Sequence, residues 1–148
     1  MNLLDTDVLS HLQKNDPVGA VIVTRLTAFP DQDFRITTVN AYEMLAGAID
    51  VIQKRKKGHK DPIPGFRLFQ ELYDYLVGWR GRVLSYDEAA DRVYRGLPPR
   101  LRQELGNDAR IGAIAMAHDA TVWTCNVKHF KRIPGLIVYA AETGKRAS

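Results

Sequence analysis

Short apolar or β-branched segments alternate along this chain with longer segments that have the spacing of amphipathic helices. Five segments have strand character, at residues 2–4, 34–39, 82–86, 121–125 and 136–139. A chain that alternates in this way builds a mostly parallel sheet covered by helices on both faces, because right-handed crossovers leave few other arrangements. With 148 residues, the sequence predicts a single α/β domain over residues 1–148.

The helices are predicted from apolar residues that recur every three or four positions. The first helix is expected to begin near residue 8, and the others are expected at residues 18–29, 41–55, 65–79, 87–105 and 108–118. Pro98-Pro99 should interrupt the fifth helix. Asn40 is the expected N-cap of the third helix, which places Glu43 in that helix's first turn. Residues 57–64 contain glycine and two prolines and are predicted to form a loop.

Composition excludes several classes of protein. Hydrophobic residues make up 45% and charged residues 26%, as in an ordinary globular protein and unlike a disordered or collagen-like chain. The single cysteine, Cys125, has no partner within the chain, and there is no secretory signal, so we expect a cytoplasmic protein. No apolar run approaches the roughly 20 residues that cross a bilayer, so no membrane association is expected.

The charge balance favours a polyanionic partner, although weakly. There are 21 Lys and Arg residues against 17 Asp and Glu, and the formal net charge is +4. A basic cluster of Lys54, Arg55, Lys56 and Lys57 ends the third predicted helix. It fits either a solvated helix end or a contact with a nucleic-acid backbone, and charge alone leaves both readings open.

Four acidic residues follow predicted strands or begin the next helix: Asp5, Asp7, Glu43 and Asp108. In an open parallel sheet these positions share the carboxyl edge, where ligands bind. Carboxylates gathered there repel one another, which raises their pKa values unless a cation compensates. Oxygen ligands suit Mg²⁺ or Mn²⁺, and the sequence has no C-x-x-C or H-E-x-x-H pair typical of zinc. The pattern therefore predicts a divalent-cation site.

Each acid also has a purely structural interpretation. Asp108 and Asp7 could cap their helices, since Asp is among the best N-cap residues. Glu43 in a first turn would suit the helix dipole. Asp5, directly after an apolar strand, is the hardest to explain structurally. His129 follows the fourth predicted strand and should lie near the acids.

Four sequence segments carry a resemblance to a known family. They read LLDTDVL at residues 3–9, TTVNAYEMLAG at 37–47, NDARIGAIA at 107–115 and ATVWTCN at 120–126. In order and spacing they resemble the motifs of PIN domains, specifically the VapC toxin branch. The resemblance implies a PIN-like three-layer α/β/α sandwich with a five-stranded, mostly parallel sheet. It also implies a metal-dependent endoribonuclease that is inhibited by a cognate antitoxin.

The same resemblance suggests roles for individual residues. Asp5, Glu43 and Asp108 match the metal-binding and catalytic acids, while Asp7 stands where the family commonly has Asn. The fourth family acid falls at Asn126, whose side chain is neutral, so one metal is expected rather than two. The expected supporting residues are Thr6, Asn40, Thr124, Asn126 and His129. The expected RNA contacts are Arg110, Lys54, Arg55, Lys56 and Lys57. Aromatic and apolar residues at 66–79 could form a homodimer face.

Three other functions are compatible with these residues. One is a PIN-like module that has lost activity at Asn126 and binds RNA or a protein. Another is a housekeeping ribonuclease that is not a toxin. The third is a phosphatase of the haloacid-dehalogenase type, because Asp5 and Asp7 form a strand-D-x-D pattern. The later Lys and paired acids of that family do not appear in order, which disfavours it.

Overall fold

A computed structural model describes residues 1–147. Its centre is a six-stranded sheet in the order β3-β2-β1-β4-β5-β6. The strands are β1 (Asn2–Leu4), β2 (Phe34–Thr37), β3 (Val83–Leu84), β4 (Thr121–Thr124), β5 (Val138–Ala140) and β6 (Lys145–Arg146). The first five strands run parallel, and β6 pairs antiparallel with β5 at the edge. The mostly parallel α/β sandwich is confirmed, with one strand more than expected.

Eight helices within residues 1–147 flank the sheet. They are α1 (Thr6–Lys14), α2 (Pro17–Thr27), α3 (Thr38–Lys57), α4 (Ile63–Val77), α5 (Glu88–Gly96), α6 (Pro99–Leu105), α7 (Asn107–Ala117) and α8 (Val127–Phe130). None of the helices in this part of the chain combines the length and apolar composition that a membrane span requires.

Two hydrophobic cores lie on opposite faces of the sheet. Leu3 and Val122 point into a core with residues of α5, α6 and α7, whereas Leu4 and Trp123 point into a second core with α1, α2, α3 and α4. Successive residues of a strand face opposite sides, so this alternation separates the two helix layers. Two buried faces also explain why the strands read as continuous apolar runs.

The boundary between β2 and α3 differs from the prediction. The β-branched run was expected to stay in a strand through Val39, but the helix begins at Thr38 and Thr37 is its N-cap. The Thr37 hydroxyl accepts a hydrogen bond from the Asn40 backbone N–H, and the Asn40 side chain accepts one from the Thr37 N–H. This capping box outweighs the strand preference of β-branched residues. Asn40 is therefore not the N-cap, and Glu43 lies in the second turn.

Other boundaries shift by a few residues. Helix α1 begins at Thr6 instead of near residue 8, because Asp5 is its N-cap. Helix α4 begins at Ile63, with a proline in its first turn where the missing N–H costs little. The short α8 and the two-residue β6 were not predicted, since neither is long enough to show a periodic pattern.

Helices α3 and α4 approach each other closely at Gly65. A β-carbon built on this residue would lie 2.7 Å from Ile52 Cγ1 and 3.0 Å from Ile52 Cα. Contacts this short to backbone leave room only for a hydrogen at this position. Gly65 thus fixes how closely α4 packs on α3.

Candidate active site

Asp5 occupies the topological switch point of the sheet. Strand β1 pairs with β2 on one side and with β4 on the other, so the connections leave it in opposite directions. Ligands of open α/β sheets bind beyond the carboxyl ends of the strands at this point. The Asp5 backbone N–H donates to the Trp123 carbonyl at 2.9 Å, which extends the pairing of β1 with β4 by one residue. The Asp5 side chain is thereby held at the mouth of the crevice, where the residue is only 4% exposed.

Both carboxylate oxygens of Asp5 accept hydrogen bonds. The Thr6 backbone N–H donates to Oδ1 at 2.7 Å, and the Thr124 hydroxyl donates to Oδ2 at 2.8 Å. Burial raises the pKa of Asp5 most strongly, the nearby charges of Asp7 and Asp108 raise it further, and the two hydrogen bonds lower it by less. The net result is a pKa well above the ordinary value. The fold therefore holds a carboxylate where negative charge is unfavourable without a compensating cation.

Asp7 faces the same crevice and does not cap α1. It lies one residue inside the helix, while Asp5 is the N-cap. Asp7 Oδ1 accepts from the Val8 N–H at 2.6 Å and from the Cys125 N–H at 3.4 Å, and Oδ2 lies 3.5 Å from the Thr124 hydroxyl. The capping interpretation of Asp7 was wrong. Its contacts with the end of β4 bring a second carboxylate beside Asp5.

Glu43 is connected to α1 through Thr6. The Thr6 hydroxyl donates to Glu43 Oε1 at 2.7 Å and accepts from Asn40 Nδ2 at 3.0 Å. Asn40 is fully buried, and its side-chain oxygen accepts from both the N–H and the hydroxyl of Thr37. Thr37 is the residue of this network that sequence reasoning missed. The T-x-x-N spacing of a capping box was the signal that could have found it.

Asp108 lies in the first turn of α7 and is paired with a histidine. Its Oδ2 atom is 2.9 Å from Nδ1 of His129, which lies on α8. No side-chain cap is formed at the start of α7 within the described chain, so Asp108 does not serve as the N-cap. The expected proximity of His129 to the acids is thus present. Its side chain is 47% exposed, so solvent reaches this part of the site.

Asn126 directly precedes α8 at the end of β4, where the resemblance led us to expect a fourth acid. Its backbone N–H donates to the Thr124 hydroxyl oxygen at 2.8 Å, and that hydroxyl in turn donates to Asp5. Thr124 is fully buried. The end of β4 therefore positions Asp5 through a neutral chain of hydrogen bonds and adds no charge.

The predicted RNA contacts are divided between two distant places. Arg110 follows Asp108 on α7, and its Nη1 atom donates to Asn107 Oδ1 at 3.3 Å. The basic cluster lies at the other end of α3, so that Lys54 is roughly 16 Å from Glu43 along the helix axis at 1.5 Å per residue. Lys54 is ion-paired with Asp50. Arg110 is two residues from Asp108 on α7 and contacts Asn107, Tyr86 and Tyr94, whereas the basic cluster lies away from the acids.

The donor set fits a hydrated Mg²⁺ or Mn²⁺ better than a fully enclosed ion. Among residues 1–147, no group of three or more His, Cys, Asp or Glu side chains converges closely enough to bind a metal directly. Mg²⁺ retains several waters and often takes only one or two carboxylates. Asp7 and Asp108 are both near enough to Asp5 for their charges to raise its pKa, which agrees with such a site. Tetrahedral zinc would require nitrogen or sulfur ligands that do not converge here.

No protein-family model matches the sequence, and no curated protein matches it. Solved structures do match. A chain of VapBC2 from Rickettsia felis, bound to a DNA fragment from its promoter, aligns with a TM-score of 0.66 at 23% identity, over 93% of this chain and 96% of that one. A chain of FitAB bound to the IR36 DNA fragment aligns with 0.67 at 22%, over 96% of both. A chain of a toxin–antitoxin complex from Klebsiella pneumoniae aligns with 0.59 at 22%, over 95% and 98%.

These similarities define the fold of the chain. Its structural neighbours are VapBC and FitAB toxin–antitoxin complexes, and the coverage is nearly complete in both directions. The expected PIN-like α/β/α architecture with a mostly parallel sheet is confirmed at the level of the fold. With identities of 22–24%, the likeness concerns the fold.

Proposed function

We propose that this chain is a metal-dependent endoribonuclease and the toxin of a toxin–antitoxin pair that acts in the cytoplasm. The observation that carries the proposal is the position of Asp5. It is a buried carboxylate at the switch point of the sheet, and the charges of Asp7 and Asp108 raise its pKa further. A site of this kind suits a divalent cation and a phosphodiester. The shared fold with components of toxin–antitoxin complexes supports the biological role.

The acids divide into metal ligands and a group that orients water. Asp5 and Asp108 would hold Mg²⁺ or Mn²⁺, and Glu43 would either join them or activate the attacking water. The bound cation would supply positive charge to the phosphate oxygens as charge develops on them. Thr6 orients Glu43, and Thr124 orients Asp5, through the hydrogen bonds already described. His129 and Asn126 complete the rim of the site.

One cation is expected to bind tightly instead of two. A second divalent ion needs further negative charge, and Asn126 offers only a neutral amide. Asp7 is the acid available to compensate, because it already lies against the end of β4. This reasoning makes Asp7 a secondary ligand.

The proposed partners are RNA, a cognate antitoxin and a second copy of the chain, and each is assigned to a different surface. Arg110, two residues from Asp108 on α7, is the cation that we propose contacts the RNA near the cleaved bond, whereas the basic cluster at Lys54–Lys57 would contact a more distant phosphate. A cognate antitoxin is expected to cover the acidic crevice with a basic side chain. Helix α4 exposes Phe66 (56%), Tyr73 (51%) and Val77 (50%), and we propose this face as the contact of a homodimer.

The test of the proposed function is cleavage of single-stranded RNA by purified protein with Mn²⁺. We expect wild type to cleave internal bonds and Asp5→Asn to lose at least about 100-fold in rate, since a ligand to the cation is removed. Asp31→Asn is the matched control, because Asp31 is exposed in the turn before β2, at the opposite edge of the sheet. Near-wild-type cleavage by Asp5→Asn would show that Asp5 is not part of the active site.

Two further outcomes separate the alternatives. Tight RNA binding without cleavage would identify a binding module that has lost activity. Expression in cells separates a toxin from a housekeeping ribonuclease, because only a toxin should arrest growth and be rescued by a co-expressed partner. Unimpaired growth with an active purified nuclease would contradict the toxin role alone.

A further inference from the structure

A groove of about 420 Å³ lies between α3 and α7. It is lined by Thr38, Val39, Tyr42, Tyr86, Asn107 and Arg110. Two of these residues directly precede acids of the candidate site, because Tyr42 is followed by Glu43 and Asn107 by Asp108. The groove therefore has lining residues one position away, along α3 and α7, from two of these acids.

The groove has an exposed aromatic ring on one side and a fixed one on the other. Tyr42 is 65% exposed, the largest exposed fraction among the large hydrophobic side chains of residues 1–147. Tyr86 is held by two hydrogen bonds: its backbone N–H donates to the Thr38 hydroxyl at 3.0 Å, and its own hydroxyl donates to Asp91 at 2.8 Å. Burial and the Asp91 contact raise the pKa of Tyr86 to about 12, so its hydroxyl stays protonated.

Arg110 provides the charge of the groove. Its guanidinium carbon lies 4.6 Å from the ring centre of Tyr94 and 6.0 Å from that of Tyr86, both distances of cation–π contact. Nη1 also donates to Asn107 Oδ1, as described above. These contacts fix the side chain, and no ion pair to a carboxylate is found for it in the part of the chain that the structure describes. Its charge is thus available to a ligand.

A neighbouring groove that shares Tyr86 has acidic residues in its lining, unlike the Arg110 groove. It is lined by Tyr86, Asp87, Glu88, Asp91, Arg92 and Arg95, so three carboxylates stand against two guanidinium groups. The Arg110 groove has no carboxylate among its lining residues. An aromatic ring, a fixed guanidinium and an amide beside a phosphodiester site are the groups that recognise an unpaired base.

We propose that this groove binds one unpaired nucleobase of the RNA next to the cleaved bond, with a preference for guanine. The proposal rests on the proposed ribonuclease function and deepens it. The base stacks on Tyr42, and Arg110 donates to the O6 and N7 acceptors of guanine, the base edge that matches a guanidinium best. Asn107 positions Arg110 and can contact the same base through its amide.

The experiment compares short single-stranded RNAs that carry each base in turn at the positions beside the cleaved bond. We expect Tyr42→Ala to reduce kcat/KM about tenfold, mainly through KM, because one stacking contact is lost. Tyr42→Phe should retain most of the activity. Ile49→Ala, which removes another exposed apolar side chain two turns further along α3, should leave cleavage unchanged.

Guanine recognition has its own measurement. Replacing the guanine by 7-deazaguanine removes the N7 acceptor, so it should weaken cleavage and binding by wild type but not by Arg110→Ala. Binding is followed by fluorescence anisotropy in the presence of a chelator, which separates recognition from cleavage. Arg110→Lys should keep affinity for RNA but lose the preference, because an ammonium group cannot reproduce the fork.

The outcomes distinguish this inference from the function on which it rests. If wild type cleaves RNA but Tyr42→Ala and Ile49→Ala behave alike, or no base is preferred at any position, the groove does not bind a base although the nuclease assignment stands. If wild type cleaves none of the RNAs, the ribonuclease assignment fails, and the anisotropy assay decides the groove alone. Equal binding of guanine and 7-deazaguanine RNA by wild type would then overturn it.

Discussion

The hydroxyl of Thr6, the residue after Asp5, donates a hydrogen bond to Glu43 Oε1 at 2.7 Å. The same oxygen accepts from the buried side chain of Asn40 at 3.0 Å. One hydroxyl thus serves as donor and acceptor between α1 and α3. Glu43 is oriented by a residue that directly follows Asp5, so the positions of these two acids depend on each other.

Thr6→Val tests this relationship, because valine keeps the shape of threonine and removes the hydroxyl. We expect the free energy of unfolding to fall by about 1–2 kcal/mol, since Asn40 loses the acceptor of a buried hydrogen bond. RNA cleavage should fall further than this loss of stability explains. Urea unfolding and cleavage rates measure the two effects.

Thr6→Ser is the matched control, because it keeps the hydroxyl and removes only a methyl group. It should stay close to wild type in cleavage. If Thr6→Val and Thr6→Ser cleave RNA equally well, the hydroxyl has no part in orienting Glu43.

The raised pKa of Asp5 makes the stability of the metal-free protein depend on pH in a defined direction. The folded state binds the Asp5 proton more tightly than the unfolded state, whose aspartates titrate near pH 4. The stabilisation that this proton provides is complete below about pH 4 and is lost as the pH rises through the raised pKa. Above that pKa the loss is constant.

Asp5→Asn removes this dependence because asparagine carries no charge at any of these pH values. In a chelator at neutral pH, Asp5→Asn should therefore unfold at a higher urea concentration than wild type. The difference in unfolding midpoint between Asp5→Asn and wild type should widen as the pH rises from about 4 toward the raised pKa of Asp5. Titration of unfolding midpoints against pH measures it, and a variant less stable than wild type at neutral pH would contradict the assignment of Asp5 as an unfavourable buried charge.

Asn126→Asp should strengthen metal binding by restoring a charge at the rim of the site. Wild type is expected to take up one Mn²⁺ in isothermal titration, and the variant to bind at least about tenfold more tightly or to admit a second ion. Asn15→Asp adds the same charge at the exposed end of α1 and serves as the control. Identical titrations for Asn126→Asp and Asn15→Asp would show that Asn126 lies outside the metal site.

The close approach of α3 and α4 predicts opposite effects for two glycine substitutions. Gly65→Ala should destabilise the fold by about 1–3 kcal/mol, because the new methyl group meets the Ile52 backbone. Gly47→Ala, on an exposed position of α3 with no atom within 4 Å of the new group, should stabilise by about 0.5–1 kcal/mol through helix propensity. Thermal unfolding of both variants provides the comparison, and equal stabilities would mean that α4 shifts freely on α3.

The fold was predictable from local patterns wherever an element was long or buried on both sides. Strands β1 and β4 and helix α7 were predicted within one or two residues. The prediction failed where side-chain hydrogen bonds decide the boundary, as at Thr37, since capping overrides the strand preference of the residues that follow. It also missed β6, because a two-residue strand exists only through its pairing with β5.

The positions of the candidate site residues could be predicted from the sequence, but their side-chain contacts could not. Strand ends placed Asp5, Asp7 and Asp108 at one edge, and the structure brings them close enough to shift a pKa. The pairing of Glu43 with Thr6 and of Asp108 with His129 depends on side-chain orientation, which periodicity does not encode. For the same reason the sequence did not predict that Tyr42 and Asn107 line a groove between α3 and α7.

The pairing of β1 with β4 also has a consequence for the time at which the protein becomes active during its synthesis. Asp5 and the Thr124 hydroxyl that orients it are separated by 119 positions. A growing chain folds from its N-terminal end as it leaves the ribosome. Until the β4 segment has emerged, β1 lacks the neighbour that holds Asp5 at the crevice, so an unfinished chain carries no assembled site. We therefore expect the proposed nuclease activity to appear only after the β4 segment has left the ribosome.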